Sequence, residues 1–112
     1  MVIADYIIEH VAEETGITKK LIKSKYRHQE IVDAKQIVVF ALSELGFTQK
    51  FIAKQLKYRD HTTVNHLINR RCFNSHENRL RATQAIKSYL DMALVENARL
   101  RQNIEAKISE DG

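Results

Sequence analysis

The chain has 112 residues, 18 Lys and Arg against 14 Asp and Glu, a formal net charge of +4 and a single cysteine. This length suits one domain and excludes two sizeable cores. No apolar run approaches the roughly 18 to 20 residues of a membrane span, and one cysteine excludes an intramolecular disulfide, so we expect a soluble, cytoplasmic protein. With no proline and three glycines, the composition predicts an all-α fold.

The positive charge is concentrated in the middle of the chain. Residues 1–18 carry four acidic residues and no Lys or Arg, residues 19–71 carry 12 basic and four acidic residues, and residues 72–112 carry six of each sign. A basic middle segment is typical of a surface that faces a polyanion, although a solvated basic face gives the same count.

The spacing of apolar residues predicts a multi-helix chain. The predicted helices cover residues 2–15, 19–24, 29–45, 48–57, 60–72 and 75–107. Gly16 and Gly46 follow the first and third helices as stop signals, whereas Thr18, Thr48 and Asp60 are suited to cap N termini. The third helix carries apolar residues over one wide face and is the predicted centre of the core.

The fourth and fifth predicted helices have the proportions of a helix-turn-helix, because only a few residues join them. The first turn of the fifth helix offers four polar side chains: Asp60, His61, Thr62 and Thr63. Such groups can accept from cytosine N4, contact a thymine methyl and bond phosphate. The pattern predicts a helix that reads the major groove of DNA, although a purely structural N-cap would also explain Asp60.

Three motifs occur together over residues 21–64: LIKSKYR at 21–27, IVDAKQIVVFALSEL at 31–45 and RDHTTV at 59–64. Together they resemble the DNA-binding C-terminal domain of the bacterial chromosomal replication initiator (DnaA) family, within a match over about residues 2–71. RDHTTV is highly specific to that family. The resemblance implies a helix-turn-helix DNA-binding domain over residues 1–73, followed by a long C-terminal helix over residues 74–112.

The resemblance also implies how the contacts to double-stranded DNA are divided. Base contacts are expected from the tetrad Asp60 to Thr63 in the major groove and from Arg27 in the neighbouring A·T-rich minor groove. Phosphate contacts, which set the register on the duplex, are expected from Lys25, Gln36, Thr48, Lys50, Arg59 and His66. For Arg27, His61 and His66 the alternative is an ordinary solvated side chain.

Two departures from the family pattern affect these expectations. Two glycines commonly precede RDHTTV, whereas this chain has Lys57 and Tyr58 there, so a positive φ at either position would be strained. The segment after Ser24 is also less basic than usual, since Tyr26 and His28 flank Arg27. The turn and the strength of minor-groove binding are therefore expected to differ from the family's.

Catalytic and cofactor sites are not predicted. The initiator family's ATPase needs a GxxxxGK[ST] loop, and this chain, with glycines at 16, 46 and 112, has none, so we expect no nucleotide and no melting of an origin by this chain alone. Cys72 and His76 are too few ligands for a metal site. No nucleophile, base and orienting group stand together, and we do not predict an enzyme.

The C-terminal third reads as one long helix, opened by a capping box of Asn74 and Glu77. An apolar stripe with an approximate three-four spacing runs along this helix and includes one polar residue, Asn97. The stripe consists of Ile86, Leu90, Ala93, Asn97, Leu100 and Ile104. This spacing is typical of a coiled-coil seam and predicts a homodimer or partner contact. The alternative is that the helix folds back onto its own domain.

These observations predict a sequence-specific, stand-alone initiator-like domain that acts in the nucleoid of a bacterium or mobile element and regulates replication or transcription. One alternative is a helical protein-interaction adaptor that uses the C-terminal helix and binds DNA with little sequence preference. A single-strand or RNA binder is disfavoured because Phe40, Phe47 and Phe51 occupy core positions instead of forming a stacking platform.

Overall fold

The computed structural model describes residues 3–69 and 74–111, with side chains described for 3–69, 74–99 and 102. The described residues form six helices and no strand, which confirms the all-α prediction. They are α1 (Ile3–Thr15), α2 (Lys19–Ile22), α3 (Gln29–Glu44), α4 (Gln49–Gln55), α5 (Thr62–Asn69) and α6 (Ser75–Asp111). None of them, over the part of the chain described, is long and apolar enough to cross a membrane.

The helix starts follow the capping signals in the sequence. The Oγ1 atoms of Thr18 and Thr48 accept from the backbone N–H groups of Leu21 and Phe51, each at 3.2 Å, and both threonines have extended φ and ψ angles. Each cap satisfies one N–H that has no partner within its helix. These two predicted N-caps are confirmed.

Helix α3 lies at the centre of the core and contacts each of the other five helices. Every residue from Ala34 to Leu42 is buried, so α3 is enclosed on all sides rather than along one face. A helix in this position can carry polar side chains only where they find partners. Lys35 and Gln36 are the buried polar residues of this stretch, and both have hydrogen-bond partners.

Helix α6 divides into a packed part and an exposed part. Its first turns lie against α3 and α1, with Ala82 and Ala85 fully buried and Tyr6 Oη of α1 2.8 Å from Ser88 Oγ. From Leu94 to Arg99 every side chain is exposed. The packed part therefore completes the core of the preceding helices, as the fold-back alternative expected, while the exposed part extends beyond it.

Candidate nucleic-acid interface

Helices α4 and α5 pack against each other, and residues 56–61 join them as a short turn. Val64 and Leu67 of α5 are buried and anchor the helix against α3. The opposite side of α5 is fully polar and exposed: Thr62, Thr63, Asn65, His66 and Asn69. An exposed polar helix held by two apolar anchors has the form of the second helix of a helix-turn-helix.

The turn after α4 requires a left-handed residue, and Lys57 supplies it. The N–H of Tyr58 donates to the carbonyl of Ala53 at 2.8 Å, and the N–H of Lys57 donates to that of Lys54 at 3.2 Å. This pair of bonds is the Schellman arrangement, which places its C′ residue in the αL region. Lys57 has a φ of 59°, so the predicted departure at this position does carry backbone strain.

Replacing Lys57 by Gly is expected to stabilise the fold. An L-residue in the αL region costs about 1–2 kcal/mol, and glycine removes this strain. Glycine also destabilises the fold by about 0.5–1 kcal/mol, because it loses more backbone freedom on folding. We expect a net gain of roughly 0.5–1 kcal/mol, which raises the melting temperature by about 2–8 °C for a chain of this size. Thermal unfolding followed by circular dichroism measures the change.

The matched control is Lys57→Ala, which removes the same charge but keeps the left-handed strain. Because Lys57 is exposed, this variant should melt at or below the temperature of the parent chain. Equal melting temperatures for the Gly and Ala variants would show that the strain at residue 57 has no energetic consequence.

Asp60 stabilises the start of α5, but it lies one residue before the N-cap position instead of occupying it. The carbonyl of His61 accepts from the N–H of Asn65 at 3.0 Å, so His61 occupies the N-cap place, and the prediction of Asp60 as the N-cap itself was wrong by one residue. Asp60 Oδ1 accepts from the N–H of Thr62 at 3.2 Å. That backbone hydrogen bond is the main cause that lowers the pKa of the Asp60 carboxyl. The carboxylate therefore stands charged and exposed at the helix N terminus.

Several of the predicted site residues lie together around this turn. Lys50, Arg59, Asp60 and His61 line one shallow cleft between α4 and the start of α5. Two further predicted phosphate-contacting residues, Thr48 at the start of α4 and His66 of α5, are also exposed. Because this surface combines positive side chains with helix N termini, it is suited to the phosphates of a duplex.

Arg27 and Lys25 lie in a separate segment, the loop of residues 23–28 between α2 and α3, where both side chains are exposed. Gln36 is not brought to either surface. Its side chain is 1% exposed, its Nε2 donates to the carbonyl of Leu67 at 3.0 Å, and its Oε1 accepts from Asn78 Nδ2 at 2.7 Å. In this structure Gln36 anchors α5 to α3 and is not placed to contact phosphate.

Residues 4–70, more than half of the chain, match the model of the family described as "bacterial dnaA protein helix-turn-helix". The chain belongs to this family. The resemblance predicted from the three motifs is thereby confirmed, and residues 4–70 form a DnaA-type, DNA-binding helix-turn-helix.

One curated relative is the chromosomal replication initiator protein DnaA of Ureaplasma parvum serovar 3, which is 43% identical over 67 residues. Those residues are 59% of this chain and 15% of the relative, so the chain spans a small part of the relative's length. No solved structure matches the chain.

Motif reasoning missed several polar residues on the surface of this DnaA-type helix-turn-helix. Lys54 lines the same cleft as Lys50. Asn65 lies one turn after Thr62 on the exposed side of α5, where its Oδ1 accepts from Asn69 Nδ2 at 3.0 Å and from Gln49 Nε2 at 3.4 Å. The i, i+3 spacing from Thr62 was the available signal for Asn65. Its amide is suited to an adenine edge.

Among the described residues no three metal-ligating side chains lie together. Cys72, one of the two residues weighed as zinc ligands, lies outside the described residues, as do the side chains of Leu100 and Ile104 in the predicted seam.

Proposed function

We propose that this chain binds double-stranded DNA sequence-specifically through the first turn of α5. The observation that carries the proposal is the juxtaposition of an exposed polar turn, Asp60 to Thr63, with the positive side chains of Lys50 and Arg59 on one surface. Basic side chains that neutralise phosphates provide affinity and register, whereas polar groups on base edges provide specificity. In the proposed complex the two kinds of group act on the same stretch of duplex.

In the proposed complex α5 enters the major groove with its N terminus foremost. Asp60 accepts from an exocyclic amine such as cytosine N4, and the threonines contact a thymine methyl or a base edge. Thr48, Lys50, Arg59 and His66 contact the flanking phosphates, while Arg27 of the loop reaches into the adjacent minor groove. Gln36 has no direct contact in this scheme, because its amide is committed to the fold.

We further propose a regulatory role in the nucleoid, in which the chain acts on transcription or competes with an initiator for its sites. The support is the match of residues 4–70 to the bacterial dnaA helix-turn-helix family and the 43% identity over 67 residues to a chromosomal replication initiator. Displacement of the host initiator from origin fragments tests the competition version. Failure to displace it from any such fragment would contradict that version and leave transcription as the remaining role.

The test of DNA binding is selection from a randomised duplex library at about 0.15 M salt, followed by affinity measurements on the enriched and scrambled duplexes. We expect an enriched motif that binds at least about a thousandfold more tightly than the scramble. Binding that is weak, indifferent to sequence and lost as salt rises would contradict the proposal and favour the protein-interaction adaptor.

The exposed part of α6 supports a second proposal, a homodimer. Leu90 and Leu94 are 49% and 67% exposed, and apolar residues displayed along one helix favour burial against a partner. If Leu90 is an a position, Asn97 is the next one, and a buried asparagine there sets the register of a two-stranded coil.

Light scattering at high micromolar concentration should therefore give twice the monomer mass. Leu90→Glu, on the seam, should dissociate the dimer, whereas Val95→Glu, placed away from the seam with the same charge change, should not. A monomer for the unmodified chain would contradict the proposal, and equal dissociation by both variants would contradict the assigned seam.

A further inference from the structure

Lys35 is a buried lysine that forms no ion pair with any carboxylate among the described residues. It lies in the middle of α3 with 4% of its surface exposed. Its Nζ donates to the backbone carbonyls of Ser24 and Tyr26, at 2.5 and 3.1 Å. A buried ammonium group needs such partners, since an uncompensated one is strongly unfavourable. The two carbonyls therefore replace the water that this charge has lost.

The two carbonyls belong to the loop that presents Arg27. Residues 25–28 have no regular secondary structure, so the loop depends on side-chain contacts for its shape. Beyond the Lys35 bonds, the N–H and Oγ of Ser24 donate to the carbonyl of Leu21 and tie the start of the loop to α2. The backbone N–H of Tyr26 donates to Ser24 Oγ at 3.4 Å, which is a weak contact. Lys35 thus holds the loop at Tyr26, directly before Arg27.

The same ammonium group also contacts the turn that leads to α5. Lys35 Nζ lies 5.6 Å from the centroid of the Tyr58 ring, within the range of a cation–π interaction. Tyr58 is partly buried, and burial raises the pKa of its hydroxyl to about 12.

The electrostatics are consistent with this geometry. Burial, and after it the positive charge of Arg27, lower the pKa of Lys35.

We propose that Lys35 is a positioning residue that joins the Arg27 loop to the turn before α5, so that both elements meet adjacent grooves of one duplex. This inference rests on the proposed DNA binding. The major-groove and minor-groove contacts act together only if their separation is fixed before binding. A loop already held in place loses less conformational freedom on binding, and such preorganisation increases affinity.

A double-mutant cycle of Lys35 and Arg27 tests the proposal, with affinity for the selected duplex measured by fluorescence anisotropy. Arg27→Ala and Lys35→Met are each expected to weaken binding about tenfold, which corresponds to about 1.4 kcal/mol. If Lys35 acts by placing Arg27, then Lys35→Met should change affinity less than about twofold once Arg27 is absent. Lys35→Arg, which keeps a charged donor, should recover most of the loss.

Two further variants separate positioning from general stability. Tyr58→Ala removes the contact between Lys35 and the turn and leaves the bonds of Lys35 to the loop in place. Combined with Arg27→Ala, it gives a second double-mutant cycle that does not depend on the folding of Lys35→Met. Lys87→Met, on the exposed side of α6, is the matched control and should bind like the parent chain.

Losses that simply add in both double variants would overturn the positioning role, as would an Arg27→Ala variant with full affinity. Failure of the proposed function looks different, because the unmodified chain would then show no preferred duplex at all.

Discussion

Asp60→Ala is expected to lose about 1–3 kcal/mol of binding free energy on the preferred duplex and to relax the base choice at one position. The carboxylate is exposed at the N terminus of α5, and its pKa is lowered mainly by the N–H of Thr62. It accepts from the N–H of Thr62 in the helix and, in the proposed complex, also accepts from a base amine. Competition binding on the preferred duplex and on its single-base variants measures the affinity and the relaxation together.

The two roles of Asp60 are separated by Asp60→Asn. Asparagine Oδ1 can accept from the N–H of Thr62 as the aspartate does, and loss of a side-chain acceptor at a helix N terminus costs about 0.5–2 kcal/mol. The Asn variant should thus keep the melting temperature of the parent chain while its base preference changes, whereas the Ala variant should lose both. An Asn variant with unchanged base preference would show that Asp60 acts only on the helix.

Lys50→Ala is the matched comparison for a residue that contacts phosphate. It should weaken binding to all duplexes alike and reduce the dependence of log K on log salt by about one. Losses of the same size on preferred and random duplexes for the Asp60 and Lys50 variants would contradict the proposed division between base and phosphate contacts.

Local signals in the sequence were sufficient for most of the fold. Thr18 and Thr48 form the expected caps, and α3 ends in a Schellman arrangement in which the N–H of Phe47 donates to the carbonyl of Leu42 at 3.1 Å, with Gly46 at a φ of 94°. These features depend on a few consecutive residues and on backbone sterics alone. The resemblance to the family, which has two glycines at this place, indicated strain at Lys57 or Tyr58 if the turn needs a positive φ, and the structure has the positive φ at Lys57.

Contacts between distant residues were beyond the reach of such signals. From one sequence, Gln36 and Lys35 read as polar positions on a helix, and Gln36 was assigned to phosphate by resemblance. The structure buries both because α3 is enclosed on all sides. Their partners, Leu67 and Asn78 for Gln36 and the loop carbonyls for Lys35, lie 9 to 42 residues away in sequence. Helical periodicity contains no information on which elements meet.

The helical periodicity of the sequence also did not decide whether α6 packs against the rest of the chain. Residues 74–112 were predicted as a long C-terminal helix that serves dimerisation or packing, with fold-back onto its own domain as the alternative. The structure places Asn78, Ala82 and Ala85 of this helix in the core, and Asn78 Nδ2 lies 2.7 Å from Gln36 Oε1 and 3.2 Å from Asp33 Oδ1. Small residues on a mostly polar helix gave little hydrophobic signal, although they allow close packing against α3.

A chain that ends after residue 73 is therefore expected to lose its cooperative thermal transition. Removal of α6 exposes the faces of α3 and α1 that it covers and breaks the Asn78 bonds to Asp33 and Gln36. Small domains have about 5–15 kcal/mol of stability in total, and the loss of a core helix is of that order. A chain that ends after residue 99 keeps every described core residue of α6 and should melt within a few degrees of the full chain. Circular dichroism melts of the two truncated chains give the comparison.

The buried contact at Asn78 carries the effect of α6 to the DNA-binding helix, because Gln36 also holds the carbonyl of Leu67 in α5 at 3.0 Å. Asn78→Ala should cost about 1–3 kcal/mol of stability, as expected when a buried polar network loses a member, and it should weaken DNA binding although residue 78 lies away from the proposed duplex. Lys87→Ala, exposed on the same helix, should change neither quantity. A residue 1–73 chain that melts cooperatively and binds its duplex like the full chain would show that residues 74–112 are, after all, an independent appendage.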